Sequence, residues 1–148
     1  MTKNRNTNLW ADIVEVITEP SPKGLMKEQA AYLKAKTKGL LVAEVATYQV
    51  DKSLVVSEDF FGYGKLQQNQ NNENFIQTFY IVVPTLKYRY ILFTVSHTIL
   101  GFPAEFTYDD DRKLIANNEK EFLDILKQIL SSEKTQRILS ALLIQARA

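Results

Sequence analysis

The chain contains no cysteine. That absence excludes disulfides, thiolate metal sites and a cysteine nucleophile together. Histidine is almost absent too. His97 stands alone, so a zinc site would have to be built mainly from carboxylates, and no metal site is expected. Neither sign of charge is in excess, with 18 Lys and Arg against 17 Asp and Glu. A net charge of +1 supplies no broad field to draw the chain onto nucleic acid or an anionic membrane, and neither is expected as a partner. Long apolar runs are lacking, so no segment is expected to span a bilayer. The opening residues MTKNRNTNLWADIVEVI are interrupted by Asp12 and Glu15 where a signal peptide needs an apolar core. With no disulfides to demand an oxidising compartment, the expected location is the cytoplasm.

What is present is ordinary for a folded domain. At 148 residues, 45% hydrophobic and 24% charged, the chain is long enough to bury a core without covalent staples. No repeat or linker divides it, so residues 1–148 read as a single domain with a loose start over residues 1–6.

Periodicity then gives the elements. Leu9, Trp10, Ile13, Val16 and Ile17 fall at helical spacing before Pro20 and Pro22, predicting a short first helix. A second helix is predicted from Leu25 or Met26, Ala30, Leu33 and Thr37, with Gly39 as its C-terminal cap. After Gly39 the period changes to two, and LLVAEVATYQV reads as a strand. SLVVSEDFF is a candidate return strand, and residues 65–74 a flexible loop rich in Gln and Asn. Residues 75–97, FIQTFYIVVPTLKYRYILFTVSH, are the most apolar and aromatic stretch, broken once at Pro84, and predict a central hairpin. In its second half Ile91, Phe93 and Val95 are expected on one face, with Tyr88, Tyr90 and Leu92 opposite. FPAEFTYD follows as a further strand with Phe102, Ala104, Phe106 and Tyr108 aligned, and DDDRK is expected to leave the sheet.

Two helices close the chain. Asn118 and Glu121 have capping-box spacing, and Phe122, Ile125, Leu126, Ile129 and Leu130 make a core-facing stripe. Ser132 caps the last helix, which turns Ile138, Leu139, Leu142 and Leu143 inward. The fold class is therefore α+β. An antiparallel sheet of four to five strands, about residues 40–108, carries two N-terminal and two C-terminal helices.

Chemistry-bearing residues are few. His97 is the natural general base, and Glu105 in the next strand is the acid that a suitable hairpin register would bring beside it, which keeps a hydrolase-like enzyme among the alternatives. Asp109, Asp110 and Asp111 resemble the start of a hard-cation loop but lack its glycine and closing glutamate. Gly62, Gly64 and Lys65 lack phosphate-loop spacing. No cofactor is expected. Glu44 stands out as the one acid on an otherwise apolar strand.

The leading expectation is a non-catalytic binding or regulatory module acting through protein contacts, with a partner or with a second copy. Trp10 and Ile144 are its candidate interface residues. The alternative is a small-ligand binder with a pocket between sheet and helices, lined by Tyr48, Tyr80, Tyr88 and Tyr90.

Overall fold

The computed structural model describes residue 7 and residues 20–50, 74–109 and 112–148. The expected first helix with Trp10, the SLVVSEDFF strand and nearly all of the Gln/Asn loop lie outside the described residues. The described elements run α1 (Pro22–Lys36), β1 (Val42–Gln49), β2 (Phe75–Val83), β3 (Tyr88–His97), β4 (Ala104–Tyr108), β5 (Arg112–Ala116), α2 (Glu119–Leu130) and α3 (Glu133–Arg147). One α+β arrangement results, a five-stranded antiparallel meander in the order β1-β2-β3-β4-β5 with one helix before it and two after.

Local chemistry sets the helix ends. Ser21 caps α1 by accepting from the Gly24 N–H at 3.0 Å, and Pro22 occupies the first turn, where no N–H is required. Lys34 and Lys36 sit in the last turn beside the negative end of the helix dipole. The expected left-handed exit is present, with Gly39 at φ 82° donating to the Lys34 carbonyl at 2.9 Å. Thr37 ties this exit to β1, its hydroxyl accepting from the Leu41 N–H and donating to the Leu33 carbonyl. Asn118 caps α2 by accepting from the Glu121 N–H at 2.9 Å. The Glu121 carboxylate accepts in return from the Asn117 N–H at 2.8 Å, one residue earlier than the usual box.

Two expectations change. The chain does not leave the sheet at DDDRK but returns as β5, pairing Tyr108 with Arg112 through to Ala104 with Ala116. Charged Arg112 and Lys113 suit an edge strand, where they oppose pairing with another sheet, but they hide a five-residue strand from pattern reading. The second change is a bulge between β2 and β3. Phe79 pairs with Phe93 but Tyr80 pairs with Ile91, leaving Leu92 as the extra residue. Alternation therefore changes phase there. Leu92, Phe93 and Val95 are buried together, whereas Ile91 turns to the other face and is 53% exposed.

All three described helices lie on one side of the sheet. The core joins Leu25 and Met26 of α1, and Phe122, Leu126 and Ile129 of α2, to Phe79, Ile81, Phe93, Val95, Ala104 and Phe106. Ile138, Leu139 and Leu142 of α3 pack against its margin only half-buried. At the α2–α3 corner a polar knot replaces apolar packing. The Thr135 hydroxyl donates to the Ile129 carbonyl at 2.7 Å, and Tyr108 meets Ser132 at 2.7 Å. Gly101 closes the β3–β4 turn at φ 95°, where a Cβ would also come within 3.4 Å of the Pro22 ring.

Candidate functional site

The other side of the sheet carries none of the three described helices. Register places four rows of side chains across it. Ala46, Thr78, Thr94 and Thr107 make a row of small residues continued by Lys113. One neighbouring row carries Tyr48, Ile76, Ser96, Glu105 and Ile115, and the other Glu44, Tyr80 and Ile91. Val42, Val82 and Arg89 form the last. Tyr48, Ile91 and Ile115 are 51%, 53% and 58% exposed, which is unusual for large side chains spread over one sheet face.

The polar groups on this face are organised. Arg89 donates to the Glu44 carboxylate at 3.0 Å, and its guanidinium lies 4.1 Å from the Tyr80 ring centroid. The Tyr80 hydroxyl meets that of Tyr48 at 3.1 Å. This hydrogen bond is the main cause of a Tyr80 pKa raised above 10.0, assisted by desolvation and opposed by Arg89. Because the folded value exceeds the unfolded one, this contribution to stability is complete below about pH 10 and is lost as pH rises through the folded value. In Tyr48→Phe the Tyr80 titration should move down, and ultraviolet difference titration of the two proteins reads that shift. An unmoved titration would contradict the hydroxyl pair.

The four tyrosines are divided by the sheet. Tyr48 and Tyr80 share the outer face, whereas Tyr88 and Tyr90 pair with Val83 and Ile81 on the helix side. Register also separates His97 from Glu105. His97 pairs with Ala104 on the helix side, and Glu105 pairs with Ser96 on the outer face. The imidazole is held by a relay across three strands. Its Nδ1–H donates to the Thr98 carbonyl at 2.8 Å, so Nε2 accepts from the Gln77 amide at 3.1 Å. Gln77 Oε1 in turn accepts from Thr47 at 2.7 Å, and the His97 ring stacks on Phe75. Gln77 is 3% exposed, so Gln77→Leu would strand two polar partners and should cost about 1–3 kcal/mol in denaturant unfolding. No loss would mean that the relay contributes nothing.

Ile144 is exposed on α3, and Trp10 lies outside the described residues. Asp109 is engaged by Lys134 at 2.7 Å, and Asp110 and Asp111 are outside the described residues. Among the described residues no group of three or more His, Cys, Asp or Glu is arranged to hold a metal, and no helix is long and apolar enough to cross a membrane.

Sequence reasoning missed Ile91 and Ile115 as surface residues. Ile115 belongs to the unexpected edge strand, and only the bulge turns Ile91 outward. Glu44, singled out as an acid on an apolar strand, is the residue whose signal was readable, and its partner is Arg89. On the helix side a separate groove of about 520 Å³ opens between α1, α3 and the sheet. Tyr32 lines it, and none of Tyr48, Tyr80, Tyr88 or Tyr90 does. No protein-family model, curated protein or solved structure matches this chain.

Proposed function

We propose that this chain is a non-catalytic binding module that acts through protein contacts made by its outer sheet face, and that its first partner is a second copy of itself. The observation that carries this reading is the exposure of Tyr48, Ile91 and Ile115 on a face that no described helix covers. Five strands make that face roughly 20 Å wide at the usual strand spacing.

Charge favours a copy over a partner of strong sign. Among the described residues of this face Glu44 and Glu105 are balanced by Arg89 and Lys113, so the described patch is neutral and can meet itself in an isologous contact. A net charge of +1 opposes that approach little. Two such faces would stack as sheets do, about 10 Å apart. The commitment of both His97 ring nitrogens to fixed partners supports a structural role for that residue. Sedimentation equilibrium over a wide concentration range tests the reading. A reversible monomer–dimer equilibrium is expected, and a monomer at every concentration would overturn it.

A further inference from the structure

The groove on the helix side is unrelated to the outer face and has its own chemistry. Its floor is Phe79, Ile81 and Leu92, and its walls are Leu33 of α1 with Leu139 and Leu143 of α3. The volume, about 520 Å³, lies in the range of small-molecule sites. Its origin is physical. Thr135 is the only fully buried residue of α3; beyond it Ile138, Leu139 and Leu142 are only half-buried against the core, and open space lined by both helices remains between α3 and α1. The lining on α1 runs from Gln29 to Lys36, roughly 10 Å at the helical rise.

One charged residue lines this groove among the described residues. It is Lys36, exposed at the C-terminal end of α1. It makes no ion pair with any described residue, and no carboxylate among the described residues lines the groove to neutralise it. A mainly apolar trough, polar along its rim at Gln29, Gln136 and Ser140, with a cation at one end that has no ion-pair partner among the described residues, complements a single-chain amphiphile with an apolar tail and a negative head. We propose that the groove binds a free medium-chain monocarboxylate, its alkyl chain between the half-buried Leu33, Leu139 and Leu143 above the floor of Phe79, Ile81 and Leu92, and its carboxylate at Lys36.

Isothermal titration calorimetry with decanoate tests this directly, with decanol as the neutral analogue of equal chain length. Saturable one-to-one decanoate binding is expected, with decanol clearly weaker. Lys36→Glu should weaken decanoate about fivefold, the scale of a solvent-exposed ion pair. Leu139→Trp should block the groove and abolish binding. Ser140→Trp, at an exposed lining position, gives a second blocking variant should the first disturb folding. Circular dichroism reports the fold of each. The proposal fails if decanoate does not bind below its micellar concentration, or if decanol binds as tightly. It also fails if both folded blocking variants bind normally. Binding to phospholipid vesicles without binding free decanoate would likewise overturn it, assigning the groove to a membrane surface instead.

Discussion

Phe106→Ala is expected to lower the unfolding free energy by about 4 kcal/mol. The size of the effect follows from position. Phe106 is fully buried and is the third of four rings in contact, Phe79, Phe93, Phe106 and Phe122, with centroids 4.9, 5.6 and 4.7 Å apart. The first three rings belong to adjacent strands β2, β3 and β4, and the fourth to α2. Truncation therefore removes transfer free energy and leaves a cavity where helix meets sheet, with rigid neighbours on two sides that cannot collapse into it. Domains of ordinary stability hold only about 5–15 kcal/mol, so the variant should be marginal. Urea unfolding measures it. Ile144→Ala, at an exposed position on α3, is the matched control and should stay within about 0.5 kcal/mol of the parent. Equal midpoints for the two variants would contradict the assignment of the ring series as the core.

Ile91→Asp is expected to weaken self-association at least tenfold, about 1.4 kcal/mol, while lowering unfolding stability by less than about 1 kcal/mol. Ile91 lies on β3, the middle strand of the five, so a face-to-face contact would bury the new carboxylate without a partner. In an isologous dimer the substitution occurs twice across the same interface, which compounds its effect. Sedimentation equilibrium gives the dissociation constant, and urea unfolding gives the stability. A variant that dimerises like the parent would remove the outer face from the interface. A variant that loses stability and dimerisation together would make Ile91 a folding residue instead.

Much of this fold was legible from local signals. α1 announced itself through the Leu25 or Met26, Ala30, Leu33 and Thr37 stripe with Gly39 as its exit, and α2 through Asn118 with Glu121, because periodicity and caps act within a few residues; the Ser21 cap and Pro22 in the first turn of α1 were not read as its start. β2, β3 and β4 were legible because turns at Pro84 and Gly101 separate alternating apolar runs. The bulge at Leu92 was not, because it depends on how two strands seat against each other and no local residue demands it. One extra residue moved Ile91 outward and put Tyr88 and Tyr90 on the face of Phe93. β5 escaped because Asp109 ends β4, and its partner strand opens on two cations.

The candidate site was less legible for a related reason. Alternation says which residues share a face, but β2 is apolar on both faces. Nothing in its sequence says that Phe79 meets the helices and Tyr80 does not. The pairing of Glu44 with Arg89 and Tyr80 needed the register of three strands. The groove needed the open space between α3 and α1, where the aliphatic residues of α3 beyond Thr135 are only half covered.

The absence of native cysteine makes the central test clean, since one introduced thiol is unique in the chain. Ile91→Cys places it on the middle of the outer face, and Lys120→Cys places it on the exposed side of α2. Both proteins are treated with a short bis-maleimide at a concentration where the parent is dimeric. Rapid covalent dimer formation through position 91, with little through position 120, is the expected result. No cross-linked dimer through position 91, or equal yields through both positions, would contradict a self-association made by the outer sheet face.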